Sequence, residues 1–345
     1  MRNKIFFLTL IIFSQFCFSQ SGILSKIDNL KTETEVQDFI RSRSKTKEDY
    51  LAEFELKTIQ SFDENSYHEV NKEIKKAADS LGITKSFYKG DFDHNGKTDL
   101  IFIGDNHSCN GFSPSSKGSY SCDSSVNIFL ENNGDYILKS LKPNFNDFVA
   151  PTVTTLNGKQ YLKILSTEIE EDTLSSQLKF NHRIVSQVLD YEFDSFIEYN
   201  PEPKKHQIEK IVYETGMCYG TCPMFKLELN ADKISTFFAE SYNFSEKIPK
   251  GKREMKKGEG RFETKISTET FDELTDILNY IDFPNLKNDY AVHWTDDHSS
   301  VLTVYYDGGK VKKIDDYGLS GTYGLKLLYK KLFELRFNQD WKKVK

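Results

Sequence analysis

The sequence predicts an α+β protein of two domains, each an antiparallel β-sheet with a few packed helices. Three observations carry that prediction. Alternating apolar runs flank strong turn signals at Asn132-Asn133-Gly134-Asp135, Asn157-Gly158 and Asp307-Gly308-Gly309, the marks of hairpins. Helical periodicity is confined to a few segments, of which Thr268 to Ile281 is the clearest. Between the strand-rich parts, Asn200-Pro201-Glu202-Pro203-Lys204-Lys205 breaks the patterning and reads as a linker, with the boundary near 203.

The chain opens MRNKIFFLTLIIFSQFCFSQ, where Arg2 and Lys4 precede an apolar run from Ile5 to about Phe13 and a polar exit. This is the pattern of a secretory signal peptide over residues 1–20, cut after Gln20, and it is too short for a comfortable membrane span. No later stretch approaches the roughly 18 apolar residues a span needs, so the sequence predicts an exported protein, periplasmic or extracellular, with no transmembrane segment. Net charge is −6, with the acidic excess in the first 200 residues and near balance after them. Neither part has the basic surface of a nucleic-acid binder.

In the first domain, residues 21–202, Thr34 to Arg43 places Val36, Phe39 and Ile40 on one helical face, and Leu51 to Ser61 alternates as a strand. Asn65 to Leu81 reads as a helix with Val70, Ile74 and Ala77 on one side and Gly82 as its stop. From Ile83 the texture is β: Ile83 to Lys89, Leu100 to Gly104, Val126 to Glu131, Tyr136 to Leu141, Val149 to Leu156 and Gln160 to Leu165. Val185 to Leu189 and Phe193 to Tyr199 read as edge strands.

Between the first two of these β segments lies GDFDHNGKTDL, Gly90 to Leu100. Asp91, Asp93, Asn95 and Asp99 offer side-chain oxygens at positions 1, 3, 5 and 9 of a loop, Lys97 its carbonyl at position 7, and Gly96 the sharp turn. An all-oxygen set without His or Cys suits Ca2+. Position 12 of an EF-hand would be a bidentate Glu, and here it is Phe102, so the expectation is a modest-affinity structural ion.

Removing Cys17 with the leader leaves Cys109, Cys122, Cys218 and Cys222. An even number in an oxidising compartment reads as two disulfides; three connectivities exist, and proximity favours Cys109 with Cys122 and Cys218 with Cys222.

In the second domain, residues 203–345, strands are expected at Ile208 to Glu214, Met224 to Asn230, Ile234 to Glu240, Val301 to Tyr306 and Lys310 to Ile314. Ser267 or Thr268 caps the Thr268 to Ile281 helix, Pro284 enforces its exit, and Leu325 to Leu335 forms a closing helix. The basic run Lys247 to Arg261 reads as a solvated hairpin tip. Tyr290, His293, Asp296 and His298, with Trp294 and Asp297, are candidates for a pocket, although His-x4-His is a loose metal spacing on a strand.

CYGTCPMF at Cys218 to Phe225, DFPNLKNDY at Asp282 to Tyr290 and TDDHSSVLTVYYDGGKVKKIDDYG at Thr295 to Gly318, with a closing helix before Trp341, resemble a family known as domain of unknown function 6438. The resemblance runs from about Ile208 to Trp341 and departs from the usual pattern at Ser320-Gly321-Thr322, where a proline-rich lead into the last helix is expected. It implies an α+β fold and no reaction. More loosely, GDFDHNGKTDLIFIG resembles a single calcium-loop strand of the FG-GAP and VCBS type; one unit does not make a propeller.

No G-x-S-x-G elbow, P-loop or H-E-x-x-H is present. The reading that follows is a non-catalytic binding or envelope protein, braced by calcium and disulfides, whose partner is a protein or envelope component. The alternative is a copper- or thiol-redox protein centred on Cys218 and Cys222, with Met217, Met224, His293 or His298 as further ligands.

Overall fold

The structure, a computed structural model, describes residues 25–46, 49–62, 69–105, 124–143, 147–171, 180–231, 234–243, 259–292 and 294–344. The expected leader, Cys109, Cys122, His293 and nearly all of the basic run lie outside these residues. The fold is α+β: three sheets, antiparallel apart from one short parallel pair, with five helices among the described residues.

Two short helices lead, α1 (Lys26–Asn29) and α2 (Glu33–Arg41). Each starts in a capping box, Ser25 with Asp28 and Thr32 with Glu35, which explains why so short a helix as α1 closes. Strand β1 (Glu55–Leu56) is all that forms of the strand expected at Leu51 to Ser61; a turn precedes it and a 3-10 turn, Ile59–Ser61, follows. The reason is competition from burial: Leu51, Phe54, Ile59 and Phe62 all go inward, an angular spacing no flat strand supplies. Helix α3 (Glu69–Ser80) ends at Gly82 as expected, with Gly82 in the left-handed region.

Strands β2 (Phe87–Gly90), β3 (Asp99–Asp105), β4 (Ser125–Asn132) and β5 (Asp135–Ser140) join β1 in the first sheet. Every residue of β3 is buried because the sheet is covered on both faces. Leu100 and Phe102 meet Ile27, Val36, Phe39 and Ile40 from α1 and α2. Ile101 and Ile103 meet α3 and the second sheet. This accounts for the unbroken apolar run LIFIG where a one-sided strand would alternate.

The second sheet is a meander of β6 (Ala150–Leu156), β7 (Lys159–Glu171), β8 (Phe180–Glu192) and β9 (Ser195–Glu198). Phe193 and Asp194, expected to lie on a strand, form the β8–β9 turn with φ of 52° and 60°. That is a left-handed pair built without glycine.

The third sheet draws only on residues from Ile208 onward: β10 (Ile208–Thr215), β11 (Met224–Asn230), β12 (Ile234–Ser241), β13 (Gly260–Lys265), β14 (Asp289–Ala291), β15 (Ser299–Tyr306), β16 (Lys310–Tyr317) and β17 (Lys342–Lys343). Their spatial order is β14-β16-β15-β10-β11-β12-β13-β17. Helices α4 (Thr268–Tyr280), capped by Ser267, and α5 (Tyr323–Asn338), capped by Thr322, cover one face. β11 accordingly alternates between buried and partly exposed residues.

The second and third sheets are joined at the start of α5. Glu198, at the end of β9, accepts the N–H groups of Tyr323 at 2.6 Å and Gly324 at 3.0 Å. These are first-turn donors that a helix cannot satisfy itself. Tyr323 Oη donates to Leu141 O at 2.9 Å and Lys326 Nζ to Pro143 O at 2.7 Å. The linker is anchored too, with Asn200 Nδ2 donating to Tyr280 O at 2.6 Å.

Gly324 is required by close approach: a Cβ there would stand 2.3 Å from Ile281 Cγ2 and 3.1 Å from Glu198 Oε2. Judged by helix propensity alone, Gly324→Ala would stabilise the chain by up to about 1 kcal/mol. Because the methyl wedges α5 off Ile281 and Glu198, we expect a loss of about 1–3 kcal/mol instead, read as a lower urea midpoint.

Candidate functional site

Two places gather chemistry. The first is the turn between β2 and β3. Asp91 Oδ2 accepts Gly96 N at 3.0 Å, and Asp93 Oδ1 accepts Asn95 N at 3.2 Å. Gly96 turns the chain at φ 80° and His94 at 58°. Asp99, fully buried, accepts Phe92 N at 2.8 Å and Glu131 N at 2.9 Å. One oxygen from each of Asp91, Asp93 and Asp99 falls within 4.8 Å of the others. Burial, with the Asp93 charge nearby, pushes the Asp99 carboxyl up to about 7 although both backbone donors favour its charge. Burial and Asp91 likewise raise Asp93. Asp91 Oδ1 is buried and has no hydrogen-bond partner among the described residues.

Asn95 and Lys97 are differently engaged from the ligand set the spacing suggests. Asn95 Oδ1 accepts Lys97 N at 2.7 Å, while its Nδ2 donates to Asp93 Oδ2 at 2.9 Å and Glu131 O at 2.8 Å. The loop is also held from outside. Gln160 Oε1 accepts Asp91 N at 3.2 Å, and His94 Nε2 lies 3.2 Å from Asp190 Oδ1, with its ring edge-on to Tyr161. Gln160 and Asp190 belong to the second sheet, and in the loop's own sequence only His94, between Asp93 and Asn95, hints at a contact outside it.

The second place is the connection from β10 to β11. Cys218 and Cys222 form a disulfide with Cα atoms 5.7 Å apart. Gly216 N donates to Ser299 O at 2.9 Å and Tyr219 N to Asp296 O at 3.2 Å, so the disulfide loop rests on the segment before β15. The structure therefore brings Cys218 and Cys222 together with Asp296 and His298. Met217 is 71% exposed and Tyr219 88%, apolar side chains projecting from a tied loop. His298 is buried, its Nε2 3.3 Å from Pro223 O and its ring edge-on to Phe333. Its position makes it a brace behind the loop. Tyr290 stands apart on β14, accepting Lys287 N at 3.2 Å, and burial pushes its phenol up to about 12.

The site and fold together define an α+β protein with an acidic turn and a disulfide-tied apolar loop. Residues 209–336 match the family model described as Domain of unknown function (DUF6438), over the region where the resemblance is expected. No curated protein and no solved structure matches the chain. The likeness of residues 90–104 to a calcium-loop strand is not shown by these comparisons. No helix among the described residues is long and apolar enough to cross a membrane.

Burial lowers the pKa of His298 below its ordinary value, against the Pro223 carbonyl and Asp297, which favour the charged form. The unfolded chain takes up this proton near pH 6.5, whereas the folded chain resists it until lower pH, so stability falls as pH drops through that window. We expect the fall in urea midpoint between pH 7.5 and 5.5 to be smaller in His298→Gln than in the wild type. Equal slopes would show that His298 does not stay neutral.

Proposed function

We propose that the chain is an exported, non-catalytic binding or envelope protein in which a structural Ca2+ braces the turn between β2 and β3. The observation that carries the ion is the buried, unpartnered Asp91 Oδ1 beside the carboxylates of Asp93 and Asp99. An oxygen acceptor shut away from water is costly, and a divalent cation bound by hard oxygens offsets that cost and the mutual repulsion. Asp91, Asp93 and Asp99 would hold the ion, with Asn95 and the Lys97 carbonyl completing the set after local rearrangement. Support for a binding role comes from Met217 and Tyr219, held out on the disulfide loop toward a protein or envelope component. Support for export comes from Arg2, Lys4 and the apolar run behind them, together with the disulfide.

Metal analysis and thiol titration of the purified mature protein test this jointly. The expected result is about one calcium per chain and no titratable thiol. Stoichiometric copper or zinc with free thiols would overturn it in favour of redox or metal chemistry at Cys218 and Cys222. At roughly millimolar calcium and a dissociation constant near 0.1 mM, the ion contributes about 1.4 kcal/mol. Chelator should therefore lower the melting temperature, and Asp91→Ala should cost on the order of 1 to 2 kcal/mol and remove the chelator's effect.

A further inference from the structure

The third sheet ends on β17, and that rim is incompletely paired. β17 matches Phe262 and Glu263 of β13, and Val344 N donates to Arg261 O at 2.9 Å. Thr264 and Lys265, which complete β13, pair with β12 on one side and with no strand on the other among the described residues. An open groove of about 510 Å³ lies here, lined by Thr264 and Lys265, by Lys342, Lys343 and Val344, and by Ile234 at the start of β12. Successive residues of a strand point to opposite faces. A groove that takes in both Thr264 and Lys265, and both Lys342 and Lys343, therefore sits at the edge of the sheet.

Its lining is basic. Lys265, Lys342 and Lys343 are all exposed. Neither Lys265 nor Lys342 has an ion-pair or hydrogen-bond partner among the described residues, and Lys343 Nζ donates to the Glu259 carbonyl at 3.0 Å, which leaves its charge uncompensated. The one carboxylate of the lining, Glu263, is taken up by Arg261 at 3.0 Å. On a chain of net charge −6, this gathering of positive charge calls for an acidic ligand. Ile234, 57% exposed, and Val344, 38% exposed, put apolar surface beside the lysines.

We propose that this groove captures an extended, acidic segment of a partner protein, whose backbone adds to β13 beyond Glu263 and whose carboxylates meet Lys265, Lys342 and Lys343. An unpaired strand edge is a template for another chain, and main-chain bonds there give affinity while flanking side chains give specificity. A lipid headgroup would use the lysines and leave the strand edge idle. The site is separate from the disulfide loop, since Met224, just after that loop, pairs with Ser241 at the opposite end of β12 from Ile234.

Fluorescence polarisation of the mature chain tests this with three labelled hexapeptides: one alternating glutamate and valine, one alternating lysine and valine, and a copy of the first N-methylated on alternate residues. We expect the glutamate peptide to bind, the lysine peptide not to bind, and the methylated copy to lose affinity. Lys265→Glu combined with Lys342→Glu should weaken the glutamate peptide on the order of tenfold or more while leaving the melting temperature unchanged, because both lysines are exposed. No binding, equal binding of both charges, or an unchanged affinity in the double variant would overturn the proposal. Undiminished binding of the methylated copy, which needs no variant, would overturn the strand addition. Phosphatidylglycerol vesicles held through the same lysines, with the peptide unbound, would overturn it in favour of a lipid surface.

Discussion

The Glu198 carboxylate closing the first turn of α5 is the interaction on which the arrangement of the sheets depends. An enclosed carboxylate is costly to ionise, and burial does raise its pKa, with the N–H groups of Gly324 and Tyr323 pulling the other way. What offsets the cost is geometric. Two backbone donors point at it from the positive end of a 16-residue helix. Removing the glycine, the carboxylate or the helix start removes the fit. The same device recurs where Asp99 takes Phe92 N and Glu131 N, and where Asp316 takes Ser320 N and Gly321 N. Inward carboxylates here serve first as acceptors for backbone that has no partner in its own element.

Only at Asp99 does that device lie next to further carboxylates, and this separates an acidic turn suited to a cation from a plain cap. The turn is also wired to the rest of the molecule. His94 reaches Asp190 at 3.2 Å, Tyr280 Oη reaches the other oxygen of Asp190 at 3.5 Å, and Tyr280 in turn holds Asn200. A cation bound at residues 91–99, as proposed, would act on a loop packed against the second sheet and, through Asp190, on α4. The exposed chemistry lies at the other end of the third sheet, in the disulfide loop. Its rigidity comes from the bond between Cys218 and Cys222 and from backbone contacts to Asp296 and Ser299.

Much of this was legible in the sequence. Ser267 and Pro284 bound α4 because capping and proline stops act locally, and the hairpins over Asn157-Gly158 and Asp307 to Gly309 were marked by residues that tolerate left-handed backbone. The aspartates of the acidic turn were visible for the same local reason. What escaped was set by distant contacts. The turn at Phe193-Asp194 carries no glycine signal, and β13 emerges from the end of a charged run because β12 and β17 pair with it. Glu198, Asp190 and Asp316 gain their roles only through partners 125, 96 and 4 residues away, and even the nearest of these, Ser320, was marked only as a departure from the family pattern.

Calorimetric unfolding of the mature chain tests most directly whether the Glu198 contact binds the sheets into one unit. A single transition is expected, with calorimetric and van't Hoff enthalpies in agreement, that moves as a whole to lower temperature in Glu198→Ala. Two separate transitions in the wild type, with only one of them responding to Glu198→Ala, would contradict it.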